Sequence, residues 1–207
     1  MERPAVFLDK DGTLVKDVPY NVDPAKMVLE EGATSGLRRL AQAGFRLVVV
    51  SNQAGVARGL FQERELQGVY AHLNEMLAQE AGIRLDGFYY CPHHPAGTVR
   101  EYAVECGCRK PKPGLLLNAA RDQGIDLSQA WMVGDILNDV EAGKRAGCRT
   151  ILIDNGNETE WQRGPFRSPD FTAANLDGAA DIILGRMKAR LGPRKHITGQ
   201  PIRGESF

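Results

Sequence analysis

Short apolar runs alternate along the chain with longer stretches of amphipathic spacing. Ala5-Val6-Phe7-Leu8 comes first, followed by Phe45-Arg46-Leu47-Val48-Val49-Val50, Phe88-Tyr89-Tyr90, Trp131-Met132-Val133 and Thr150-Ile151-Leu152-Ile153. Runs this short, rich in β-branched and aromatic side chains, predict strands buried on both faces. Between them, Leu37, Leu40 and Ala41 precede Gly44, Leu66, Val69, Leu73 and Leu77 precede Gly82, and Leu115 to Ala120 precede Gly124. That is the spacing of helices that a glycine stops. After a polar stretch over 155–169, a short strand is expected around Phe171, then a last helix carrying Leu176, Ala179, Ile183 and Met187. Alternating strands and helices imply an α/β fold, a three-layer Rossmann-like sandwich around a mainly parallel sheet. Ligands of such sheets bind outside the carboxyl ends of the strands. The five runs end at Asp9, Ser51, Cys91, Asp135 and Asp154, and these residues are expected to face one crevice.

The 207 residues suit one domain, expected over 1–191, with 192–207 as a disordered tail. Lys plus Arg and Asp plus Glu are both 26, so no global field draws the chain to nucleic acid or an anionic membrane. The basic C-terminal residues Arg186, Lys188, Arg190, Arg194, Lys195 and Arg203 read as a solvated helix face and tail. No apolar run is long enough to span a bilayer, and the first residues lack the apolar stretch of a signal peptide. A cytoplasmic monomer is expected, with a small-molecule partner rather than nucleic acid or membrane.

Candidate chemistry begins where the first strand ends, at Asp9-Lys10-Asp11-Gly12-Thr13. Asp9 and Asp11 stand two residues apart, so their carboxylates project the same way and call for a cation. Hard oxygen ligands beside a phosphate suit Mg²⁺. Asp-Gly is also common turn sequence, and Ser51-Asn52 is good helix-capping sequence, so neither decides alone. The ordered set does more. Asp9-Lys10-Asp11-Gly12-Thr13, Ser51-Asn52-Gln53, Arg109-Lys110-Pro111 and Gly134-Asp135-Ile136-Leu137-Asn138-Asp139 together resemble the signature of the haloacid dehalogenase superfamily over residues 5 to about 155.

Phosphoryl transfer needs an in-line nucleophile, a cation and positive donors for the equatorial oxygens. Asp9 is the candidate nucleophile, and Asp11 the acid for the leaving oxygen and then the base for the attacking water. Mg²⁺ is expected on the Asp9 and Asp135 carboxylates, with the backbone carbonyl of Asp11 added by the resemblance. Ser51 and Lys110 are expected to hold the phosphoryl group. Asp139 either caps the helix that follows Asp135 or pairs with Lys110.

The connection over 91–112 carries Cys91-Pro92-His93-His94-Pro95 and Cys106-Gly107-Cys108. Three thiolates and one imidazole make a closed tetrahedral set, the pattern of structural Zn²⁺. Disulfides are the competing reading, disfavoured in a reducing compartment. Alternation along an extended loop puts His93 on the side of Cys91 and turns His94 away. This zinc-binding loop, with the four motifs, is similar to the D-glycero-D-manno-heptose 1,7-bisphosphate 7-phosphatase family. The resemblance implies a phosphatase of heptose nucleotide and lipopolysaccharide-core biosynthesis. It also implies that Asp17 to Tyr20, Ser51, Asn52, Gln53, Ala54, Arg109 and Lys110 line the substrate. Histidinol-phosphate phosphatases share the same motifs and a similar zinc loop, and a non-catalytic zinc-ordered binding protein on this fold is the reading from another class. The 39 residues between Asp11 and Ser51 are largely used by one helix and the second strand, so no large cap domain is expected.

Overall fold

Every apolar run becomes a strand in the computed structural model, which describes residues 3–191. Strands β1 (Ala5–Leu8), β2 (Arg46–Asn52), β3 (Gly87–Cys91), β4 (Trp131–Gly134), β5 (Arg149–Ile153) and β6 (Phe171–Ala173) form one sheet. Its order is β3-β2-β1-β4-β5-β6 and all five pairings are parallel. Helices α1 (Ala33–Gln42), α2 (Glu65–Ala81), α3 (Gly114–Gln123), α4 (Leu137–Ala146) and α5 (Leu176–Leu191) complete the fold. Gly82 and Gly124 close α2 and α3, whereas Gly44 lies one residue beyond the Ala43 cap of α1.

The pleat of β1 sorts its side chains between two cores. Val6 and Leu8 pack with Leu37 and Leu40 of α1, Val69 and Leu73 of α2, and Ile183 of α5. Ala5 and Phe7 face the other way, toward Leu115, Leu116 and Ala119 of α3 and Ala142 and Ala146 of α4. Full burial of each such Leu or Phe contributes roughly 1.5–3 kcal/mol, and a sheet covered on both faces explains why its strands read as continuous apolar runs. The α4 helix has a shallow contact face because Gly143 lies hard against Met132 and Thr150.

The strand order reverses direction between β1 and β4, the place where an open α/β sheet leaves a crevice. The segment from Asp9 to α1 holds one turn at Pro24–Lys26 and a bridge of Val15 to Leu29; no large cap domain stands over the sheet among the described residues. None of their helices is long and apolar enough to cross a membrane. The tail expected over 192–207 lies outside the described residues.

Candidate active site

A crevice of about 440 Å³ opens at the carboxyl ends of β1, β2 and β4. Asp9 follows β1 directly, and its N–H continues the ladder to Val133 O at 2.9 Å, which fixes its backbone. Asp135 stands directly after the last residue of β4. Their carboxylates and that of Asp139 each offer an oxygen within 4.8 Å of the others. Lys110 arrives from the far side of the zinc-type loop and is buried among them. Its Nζ donates to Asp9 Oδ1 at 2.6 Å and to Val50 O at 2.9 Å, and pairs with Asp139 Oδ1 at 2.7 Å. An ammonium has three donors; two are spent on Asp9 and Val50, while Asp139 Oδ1 stands at ion-pair distance with no hydrogen-bond partner among the described residues. Burial pulls the Lys110 pKa down, but Asp139 and Asp9 outweigh it and hold it above the usual lysine value.

For Asp139 the two alternatives coincide: Oδ1 pairs with Lys110, and Oδ2 accepts from Ile136 N–H at 3.3 Å at the start of α4. Asp135 is braced on both oxygens, by Thr13 Oγ1 at 3.1 Å and Asn157 Nδ2 at 2.8 Å. Burial first, then Asp9 and Asp139, push its pKa up to about 8. Three clustered carboxylates, only two of them paired with the Lys110 ammonium, are a donor set short of positive charge, and hard oxygens at this spacing fit a divalent cation such as Mg²⁺. Gly12 has a φ of 78°, and a Cβ there would run into the carboxylate of Asp135 and the amide of Asn157. The Gly of the Asp-x-Asp-Gly-Thr motif is therefore required by the approach of β4's end to β1's end.

Asp11 stands apart from the acidic cluster. Its carboxylate accepts from the Lys10 ammonium and from Gln53 Nε2 at 3.2 Å. Burial raises its pKa and the Lys10 charge opposes that rise. Gln53 also donates to Ser51 Oγ at 2.8 Å, so one amide joins two candidate catalytic groups. Ser51 belongs to β2 and caps no helix, which removes the capping alternative. Asn52 lines the crevice while bracketing the Lys110 backbone, accepting from its N–H at 3.0 Å and donating to its carbonyl at 3.1 Å. Asp17, Tyr20 and Arg109 also line the crevice. Tyr20 has a φ of 55°, and the Arg58 guanidinium sits 5.7 Å from its ring centroid.

Two of the five strand-end residues do not face the crevice. Cys91 ends the edge strand β3, two strands from the reversal point, and its thiol turns to the zinc-type cluster. Asp154 is exposed beyond β5, its N–H bonded to Ala173 O at 2.9 Å. Conversely, Lys10, Asn138 and Asn157 reach the site without appearing among its expected residues. A lysine between two acids at a buried strand end was a usable signal for Lys10. Asn157 sits in an Asn-Gly-Asn sequence that reads as a turn, and only the placement of β5 beside β4 brings it in.

On the zinc-type loop, Cys91, His93, Cys106 and Cys108 gather with donor atoms within 4.8 Å of one another. The sulfurs are separated by 3.5 Å (Cys91 to Cys106), 3.1 Å (Cys91 to Cys108) and 3.2 Å (Cys106 to Cys108). These exceed a disulfide bond of about 2.05 Å and approach the edge of about 3.8 Å that tetrahedral Zn–S bonds give. His93 Nδ1 lies 3.5 Å from Cys108 Sγ, while His94 Nδ1 accepts from Ala96 N–H at 3.1 Å. The closed soft set is compatible with zinc, and Cys148 is a separate buried thiol.

Residues 107–179 match the family described as HAD-hydrolase-like. The D-glycero-beta-D-manno-heptose-1,7-bisphosphate 7-phosphatase of Yersinia pestis is 41% identical over 154 residues, 74% of this chain and 81% of that protein. Its counterpart of the same name from Salmonella typhi is 40% identical over 185 residues, 89% and 91% of the two chains. Among solved structures, the D,D-heptose 1,7-bisphosphate phosphatase from B. bronchiseptica, complexed with magnesium and phosphate, superposes with a TM-score of 0.75 at 31% identity, covering 88% of this chain and 99% of that one. The acid cluster around a buried lysine thus sits in a sheet and a sequence shared with known phosphatases: the chain is a phosphatase that belongs to the haloacid dehalogenase-like hydrolases, within the family of these heptose bisphosphate phosphatases.

Proposed function

We propose that the protein removes the 7-phosphate of D-glycero-D-manno-heptose 1,7-bisphosphate through an aspartyl-phosphate on Asp9, as a cytoplasmic monomer serving heptose nucleotide and lipopolysaccharide-core biosynthesis. The observation that carries the reading is the convergence of Asp9, Asp135, Asp139 and Lys110 at the reversal point of a sheet whose relatives bear that activity. A carboxylate oxygen of Asp9 attacks phosphorus as the bond to the sugar oxygen breaks, and Asp11 gives that oxygen its proton. In the second step Asp11 takes a proton from the water that attacks phosphorus, and the Asp9 carboxylate leaves. The raised pKa of Asp11 favours a group that is protonated for the first step and free to accept in the second.

Lys110 and Ser51 hold the equatorial oxygens, and Gln53 keeps Ser51 and Asp11 in register. The Asp9 and Asp135 carboxylates and the Asp11 carbonyl would hold Mg²⁺, which when bound offsets the charge that develops on the phosphoryl group. Zn²⁺ on Cys91, His93, Cys106 and Cys108 would order the 91–112 loop. Asp17, Tyr20, Asn52 and Arg109 line the part of the crevice where the sugar and its second phosphate would lie.

Phosphorus NMR of the product tests the assignment. The expected outcome is loss of the 7-phosphate signal with the 1-phosphate retained. A surviving 7-phosphate refutes the regiochemistry, and faster release from histidinol phosphate than from the bisphosphate reassigns the substrate.

A further inference from the structure

The connection after β5 touches the site at three points. Asn155 Nδ2 donates to Gly12 O at 2.8 Å, in the turn that follows the Asp9/Asp11 pair. Asn157 Nδ2 donates to Asp135 Oδ2 at 2.8 Å. The Glu158 carboxylate accepts from Leu137 N–H at 2.6 Å, at the first residue of α4. One short segment therefore binds the loop after β1, the end of β4 and the helix that carries Asp139. The Glu158 carboxylate suits its place, because the first N–H groups of a helix have no partner within the helix and carry partial positive charge.

Asp9 is fixed through its ladder bond to Val133, whereas Asp135 folds its carboxylate back on its own backbone N–H. Its carboxylate is oriented by Thr13 on one oxygen and Asn157 on the other, and an amide is well chosen for this. It donates a hydrogen bond without adding positive charge, so it directs a carboxylate while leaving its negative charge for a cation. Partners of this kind commonly set metal affinity by fixing the ligand's orientation. We propose that Asn157 is a positioning residue that holds the Asp135 carboxylate in the orientation that serves the divalent cation, with Asn155 and Glu158 anchoring the segment that delivers it. The inference rests on the reading that Asp135 is a ligand of that cation.

The test is calorimetric titration of Mg²⁺ into zinc-loaded protein without substrate, for the wild type, Asn157→Ala, Asn157→Ser and, as a reference, Asp135→Asn. Outer-shell substitutions typically cost about 10- to 100-fold in metal affinity, so Asn157→Ala is expected to raise the Mg²⁺ Kd by about 10-fold or more. At saturating Mg²⁺ its kcat should return to within about threefold of wild type, with the melting temperature of the magnesium-free protein unchanged. A folded Asn157→Ala with wild-type Mg²⁺ affinity overturns the proposal, and so does a raised KM for a phosphomonoester with Mg²⁺ affinity unchanged, which would make Asn157 a substrate contact. If Asn157→Ala fails to fold, Asn157→Ser answers the same question, since its shorter hydroxyl cannot span the gap to Asp135. Should wild type and Asp135→Asn bind Mg²⁺ alike, it is the ligand assignment of Asp135 that fails, and the role of Asn157 falls with it.

Discussion

At the scale of single residues, the site is a problem in charge placement. Lys110 is the buried cation between Asp9 and Asp139, both within 2.7 Å of its Nζ. Removing one partner of a buried pair leaves an uncompensated charge and costs roughly 3–5 kcal/mol, whereas replacing the whole pair is far milder. Lys110→Met is therefore expected to lose both activity and stability, because two carboxylates are left facing each other without an ammonium. Adding Asp139→Asn removes one of those charges and should recover a large part of the lost melting temperature. It should recover no turnover if Lys110 is, as proposed, the positive donor to the phosphoryl group. Thermal melts and steady-state rates on the single and double variants check this, and a double variant as unstable as Lys110→Met would show that the lysine's structural role does not run through Asp139.

At the scale of elements, the zinc-type loop does more than deliver Lys110. Thr98 and Val99 N–H donate to Ala57 O at 2.8 and 2.9 Å, and Thr98 Oγ1 donates to Arg58 O at 3.1 Å. Ala57 N–H in turn reaches Pro92 O at 3.2 Å. The loop thereby grips the segment that leaves β2 after Ser51 and Gln53. Cys106→Ala is expected to abolish zinc binding, expose 91–112 to limited proteolysis and raise KM more than it lowers kcat, because it loosens two segments that line the crevice while Lys110 keeps its bonds to Asn52, Val50 and Asp9. Elemental analysis, proteolysis and kinetics check it, and intact kinetics in a zinc-free variant would separate the metal from the site. The elements themselves were legible because a parallel sheet covered on both faces imprints apolar runs, and the helices their spacing. Asp9, Asp11, Ser51, Lys110 and Asp135 each stand in a local motif, and all five line the crevice. Which strand ends share the crevice was not legible: that depends on strand order, and it excludes Cys91 and Asp154 while admitting Asn157.

At the scale of the whole molecule, two facts bear on substrate choice: the net charge is zero and, among the described residues, no large cap domain closes the crevice. A sugar bisphosphate then gains little from long-range attraction, so selectivity for it must come from groups at the rim. Arg109 is the placed cation there. It lies beside Lys110 in sequence, lines the crevice, and its Nη1 approaches His93 O at 3.5 Å, which ties the guanidinium to the zinc-type loop. Its planar five-donor fork suits a phosphate or paired hydroxyls better than a point charge does. On the proposed function, which puts the transferred group at Asp9 and Lys110, Arg109 would meet the distal half of an extended substrate. Arg109→Ala is expected to lower kcat/KM for heptose 1,7-bisphosphate by about 10- to 100-fold, the equivalent of one or two charge-assisted hydrogen bonds. A compact phosphomonoester that ends short of the rim should lose less than about threefold. Parallel kinetics on the two substrates decide the matter: an equal loss on both would place Arg109 at the transferred phosphoryl group, and no loss on either would leave the open rim without its proposed specificity residue.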